Sequence, residues 1–95
     1  MSVGEYFHGR KICYVYVKSE SNLICISDED NKILILDQDS LEIVNGIYLG
    51  KKIQYVAADH YIYVHVGSYV FIYTWLLYQV ERVDLGSSFT STNIL

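Results

Sequence analysis

The chain has no proline, only two cysteines and one tryptophan among 95 residues, and just 19% of its residues are charged. With 52% apolar residues the low charge excludes intrinsic disorder, because such a composition buries enough surface to fold. A net charge of −4 argues against nucleic acid or an anionic membrane surface as a general partner, since both require a basic footprint. Long apolar runs are lacking too. The most aromatic uncharged stretch, Ser68 to Val80, is too short and too strand-like for a membrane-spanning helix, and the start MSVGEYFHGRK lacks the apolar core of a secretory signal. The expected setting is therefore intracellular, soluble and cytoplasmic. Cys13 and Cys25 lack the CxxC spacing of a zinc or redox site. Whether they face each other depends on a hairpin register that the sequence leaves open.

What the chain does hold is ten Tyr and three Phe, with Val and Ile frequent throughout, all strand formers. The fold class expected is all-β, in one domain, since so short a chain buries only ~60 to 65% of its unfolded surface. Short apolar or alternating runs bounded by turn residues predict strands over 3–8, 11–17, 22–27, 32–37, 41–49, 53–58, 60–66, 69–77 and 79–85, with no helix. Gly67-Ser68 suits a two-residue type II′ hairpin, which pairs Val64 with Phe71, Ile62 with Tyr73 and His60 with Trp75 on one face. On the other face it pairs His65 with Val70, Tyr63 with Ile72 and Tyr61 with Thr74. Asn45-Gly46 is either a type I′ hairpin or a bulge in a long strand. The bulge is preferred, because the corresponding stretch Leu77 to Gly86 has no such dipeptide.

The chain repeats itself. Lys11 to Val17 (KICYVYV) returns as Lys52 to Ala58 (KIQYVAA), 41 residues on, and EYFHGRKI from Glu5 returns as GIYLGKKI from Gly46 at the same spacing. LICIS from Leu23 corresponds to YIYVH from Tyr61 at 38, KILILD from Lys32 to YVFIYT from Tyr69 at 37, and Leu49-Gly50 to Leu85-Gly86 at 36. Four antiparallel strands recurring at this interval match a β-propeller blade of typically ~40 residues. The phrases NKILILDQDSLEIV and KKIQYVAADHYIYVHVGSYVFIYTW, with the LG that closes each unit, resemble blades of WD-repeat and YVTN-type propellers, without the Gly-His and Trp-Asp signature of strict WD repeats. The resemblance covers about Glu5 to Gly86. It implies two blade-like repeats, about 5–45 and 46–86, within a unit 1–86, followed by a polar tail over 87–95.

A blade must bury both faces, and a ring closes with typically about four to eight of them, so two blades leave two faces raw. The chain is similar to archaeal two-bladed subunits that assemble into a closed ring. That likeness implies cyclic self-association, or docking onto another propeller-like protein that supplies the missing blades. The expected blade-packing core includes Tyr14, Tyr55, Tyr63, Phe71, Tyr73 and Trp75. With an outer strand opening each unit, 79–85 becomes a surplus strand, free to act as a latch across a subunit boundary.

Candidate chemistry is sparse. Arg10-Lys11 and Lys51-Lys52 stand where each innermost strand begins, so a ring would carry them as a basic channel rim able to hold small anions; solvated strand ends are the plainer explanation. Asp28, Glu29, Asp30 and Asn31 evoke a calcium loop, but Lys32 stands where that loop needs an oxygen and no Gly follows, so a solvated turn is expected. His60 and His65 lie five apart on one strand, on opposite faces, and cannot share a metal. The stripe Tyr69, Phe71, Tyr73, Trp75 could stack bases, yet Asp59 to Val80 contains no Lys or Arg, which favours core aromatics. No nucleophile, Walker or metalloprotease motif occurs. The expectation is a non-enzymatic scaffold or protein-interaction module with no cofactor and no metal.

Overall fold

The computed structural model describes residues 6–85. It is all-β, with eight strands: β1 (Ile12–Lys18), β2 (Leu23–Asp28), β3 (Lys32–Asp37), β4 (Ile43–Tyr48), β5 (Tyr55–Ala58), β6 (Ile62–Val66), β7 (Tyr69–Tyr73) and β8 (Gln79–Asp84). These form two four-stranded antiparallel meanders, β1-β2-β3-β4 and β5-β6-β7-β8, in which every strand pairs with its neighbour in sequence. A single 3₁₀ turn, Ser19–Ser21, joins β1 to β2 and ends on Asn22 in the left-handed region.

The sheets divide between Tyr48 and Tyr55, later than the 45/46 boundary drawn from the repeat, because 43–48 pairs with β3. For the same reason 79–84 completes the second sheet and is not surplus. The strand expected over 3–8 is not formed by Tyr6 to His8; its residues 3–5, and the tail over 87–95, lie outside the described residues. His8 is instead tied to its own chain by a 2.6 Å hydrogen bond between Nε2 and Asp28 Oδ2.

The two sheets share local detail as well as strand order. Each carries a bulge at the same place in its last pairing: Val44 is the extra residue where Ile35 pairs with Asn45 and Leu36 with Ile43, and Val80 where Ile72 pairs with Glu81 and Tyr73 with Gln79. Asn45-Gly46 therefore lies inside a continuous strand beside a bulge, and the missing side chain at Gly46 lets Leu34 Cδ2 lie where a Cβ would stand. The turn before each bulge holds a leucine at positive φ, Leu41 at 62° and Leu77 at 67°. Gly9 and Gly50 likewise match, at 82° and 73°. Gly67 takes φ 60° while Ser68 stays outside the left-handed region, as a type II′ turn requires, and the expected β6–β7 register follows from Ile62↔Tyr73 to His65↔Val70. The ladder stops at Ile62, short of the expected His60–Trp75 and Tyr61–Thr74 pairs.

The core lies between the sheets. Cys25, Ile33 and Ile35 of the first sheet pack with Val56, Ile62, Val64, Val66, Tyr73, Trp75 and Leu77 of the second, flanked by Tyr14, Tyr16, Leu23, Ile47 and Phe71. Polar groups close the seam. Tyr16 Oη donates to the Val56 carbonyl, Tyr14 Oη to the Gln54 carbonyl at 3.4 Å, and Asn45 Nδ2 to the Leu76 carbonyl. Trp75 Nε1 donates to the Asp59 carbonyl at 2.8 Å, and the Lys18 ammonium lies 5.9 Å from its ring centroid. Both cysteines are free. The register pairs Cys25 with Tyr16, and the irregularity between Ile12 and Tyr14 leaves Cys13 exposed.

Candidate interaction surfaces and the basic rim

Alternation along each strand sends half of its side chains away from the seam. On the first sheet these are Val15, Val17, Ile24, Ile26, Leu34 and Leu36, with Lys32 and Tyr48 at one end and Ile43 and Val44 at the bulge. Ile26 and Leu36 are buried in the middle of this face, whereas Val15 and Val17 are each 55% exposed, Ile43 56% and Val44 48%. On the second sheet the outward side chains are Tyr55, Ala57, Tyr61, Tyr63, His65, Val70, Ile72, Glu81 and Val83, with Tyr55 52%, Tyr61 41% and Tyr63 36% exposed. Both outward faces are thus mainly apolar or aromatic, Lys32 on the first and Glu81 on the second being the exposed charges among them, and neither is the charged face of an ordinary solvated sheet.

The expected core aromatics divide between the two sides. Tyr73 and Trp75 are buried, while Tyr14 and Phe71 are partly buried against the core. Tyr55 and Tyr63 point outward. Tyr55 still touches Tyr14 edge to face, with ring centroids 5.5 Å apart. The stripe along β7 turns inward, its rings tilted against one another at 6.1 Å for Tyr69–Phe71 and 6.4 Å for Phe71–Tyr73, and Arg82 covers Tyr69 at 4.9 Å.

The four basic residues of the rim do not act alike. Arg10 is neutralised by Glu29 and Asp30, at 3.4 and 2.9 Å, and these acids hold its guanidinium pKa above the ordinary value. Lys51 sits with Leu49, Tyr69, Phe71 and Arg82 around a separate groove. Lys11 and Lys52 share a groove of about 580 Å³ at one end of the seam, together with Cys13, Ser27, Asp28 and Asn31. Ser27 is 1% exposed and its hydroxyl has no hydrogen-bond partner among the described residues.

Asp28 departs from the solvated turn expected for it. It is 4% exposed, receives the His8 ring nitrogen on Oδ2, and accepts the Asp30 and Lys32 backbone N–H groups on Oδ1 at 2.9 and 3.1 Å. Burial alone would raise its pKa, but those hydrogen bonds outweigh it and hold the carboxyl below its usual range. Nothing local in the sequence signals the contact from His8, which lies 20 residues away. Burial pushes the Cys25 thiol up to about 12. Among the described residues no group of three or more His, Cys, Asp or Glu side chains is placed to hold a metal ion, and no helix is long and apolar enough to cross a membrane.

Set against known protein families, curated proteins and solved structures, the chain has no match. The geometry defines the class by itself: an all-β chain of two alike four-stranded antiparallel sheets, packed face to face, with an apolar face left on each outer side.

Proposed function

We propose that the protein is a non-enzymatic scaffold or interaction module of the β-propeller kind, each sheet serving as one blade and the set of blades being completed by association. The partner is either further copies of the chain or another propeller-like protein, in the cytoplasm, with neither nucleic acid nor membrane involved. One observation carries this proposal: both outward faces of so small a chain are apolar, with Val15, Val17, Tyr55 and Tyr61 each more than 40% exposed. Contiguous exposed apolar surface of this kind marks association sites. Light scattering after size exclusion tests it, alongside binding of an apolar-surface dye. The expected result is a mass above the 11.0 kDa of one chain, or dye binding at that mass. A dye-silent, well-folded monomer would remove the proposal.

A second reading rests on the groove at the seam's end, where Lys11 and Lys52 stand together beside the unpartnered Ser27 hydroxyl. These donors suit a small anion, such as phosphate or a carboxylate. Asp28 and Glu29 on the same wall oppose it, which makes this the weaker reading. Thermal stabilisation by phosphate that disappears in Lys52→Ala would favour it.

A further inference from the structure

Each outward face is the repeat image of a face already buried at the seam. Shifting the first sheet's seam residues by the repeat spacing carries Tyr14, Tyr16, Cys25, Ile33 and Ile35 onto Tyr55, Ala57, Tyr63, Val70 and Ile72, which form the outward face of the second sheet. Shifting the second sheet's seam residues back carries Val56, Ile62, Val64, Phe71 and Tyr73 onto Val15, Ile24, Ile26, Leu34 and Leu36, the outward face of the first. The backbone repeats with them, since the bulges at Val44 and Val80 and the positive φ at Leu41 and Leu77 recur at matching positions. The two sheets therefore share the local features that set twist and curvature. The molecule already contains one joint of this type and exposes both halves of another.

We infer that the partner is a second copy of the chain, joined head to tail, with the outward face of one copy's second sheet seated on the outward face of the next copy's first sheet. This rests on the scaffold reading above and commits its occupant. It continues the interface present within the chain, by the same stacking of one sheet on the next. Tyr55 supplies the most specific contact. Its image Tyr14 meets Tyr55 edge to face and donates to the Gln54 carbonyl. In the joint between copies, Tyr55 of one copy meets Tyr14 of the next and donates to its Cys13 carbonyl. The interface is heterologous, so it closes into a ring if the angle between sheets permits and otherwise grows as a filament. Two seam hydrogen bonds have no image there, because Ala57 replaces Tyr16 and Glu81 replaces Asn45. The joint between copies is the weaker of the two and depends on concentration.

Complementation tests this. Val15→Asp places a charge on one half of the joint and Tyr63→Asp on the other. Sedimentation velocity reads mass, and circular dichroism confirms that each variant is folded; Val17→Lys and Tyr61→Lys serve if either variant unfolds. The wild type is expected as a discrete multiple of the 11.0 kDa chain or a filament, and each variant alone as a monomer. An equimolar mixture is expected to give a dimer that grows no further, since each variant retains the half that the other lacks. If one variant dissociates while the other keeps the wild-type mass, the joint pairs like with like and the head-to-tail inference fails, with the scaffold reading intact. A mixture that stays monomeric also overturns it. A monomeric, dye-binding wild type assigns the faces to a different protein, whereas a monomeric, dye-silent one sinks the scaffold reading as well.

Discussion

Trp75→Ala tests whether the seam between the sheets holds the chain together. Trp75 is 7% exposed, packs with Tyr73, Leu77 and Ile62, and spends its only polar hydrogen on the Asp59 carbonyl at 2.8 Å. Truncating a buried Trp to Ala costs about 3 to 5 kcal/mol in lost burial and residual cavity. The Asp59 carbonyl also loses its donor, a penalty held to about 1 kcal/mol because water reaches the neighbouring exposed turn. A chain of 95 residues has roughly 5 to 14 kcal/mol of folding stability, so the substitution removes about a quarter of it or more. Trp75→Phe keeps most of the volume and loses the hydrogen bond, and is expected to cost about 1 to 2 kcal/mol. Urea denaturation followed by far-ultraviolet circular dichroism measures both. Fluorescence is unsuitable, because Trp75 is the only tryptophan. The titration is repeated at several protein concentrations, since association adds its own stabilisation by mass action. A loss below about 1 kcal/mol for Trp75→Ala would mean that the ring is not in the core, and would refute the packing assigned to the seam.

Three further outcomes are expected. At pH 8 a thiol reagent labels Cys13 quickly and reaches Cys25 only on unfolding, because burial raises the Cys25 thiol to about 12; two fast thiols per chain would contradict this. The carboxyl of Asp28 binds its proton less readily when folded than when unfolded, so its contribution is complete above about pH 4 and fades as pH falls through the lowered folded value. Asp28→Asn flattens that acid limb in thermal unfolding against pH, and an unchanged limb would remove the role given to His8 and the turn amides. Tyr16→Phe deletes the hydroxyl that bonds the Val56 carbonyl and costs about 0.5 to 1.5 kcal/mol by urea denaturation, while Tyr48→Phe, on an exposed ring, changes stability by less than about 0.5 kcal/mol. Equal effects would show that the Tyr16 bond does not support the seam.

The sequence made the strands and one register legible because their causes are local. Gly67-Ser68 fixes the β6–β7 pairing by turn geometry alone, and comparing Leu41–Leu49 with Leu77–Leu85 separates a bulge from a hairpin at Asn45-Gly46. Connections whose length depends on tertiary detail were not legible. The 3₁₀ turn at Ser19–Ser21 sets a register that places Cys25 opposite Tyr16, and the irregularity at Ile12/Tyr14 leaves Cys13 outside that pairing. Nor does periodicity say which face of a strand is buried when both faces are apolar. Tyr63 and Val64 are equally good core candidates by composition, and only the packing of the second sheet on the first buries Val64 and leaves Tyr63 outside. The rim was legible as charge but not as pairing, since Arg10 meets Glu29 and Asp30 beyond the end of the β1–β2 ladder while Lys11 and Lys52, which precede β1 and β5, line one groove.

The strict meander order has a kinetic consequence. Every hydrogen-bonded strand pair is joined by a short connection, so loop closure costs little and the chain belongs with the quicker β-proteins in its folding rate. During synthesis the first four strands can zip up before β5 has left the ribosome, and the nascent sheet then waits with Cys25, Ile33 and Ile35 uncovered until β6 and β7 arrive. That interval is when this polypeptide is most vulnerable to aggregation and to capture by chaperones.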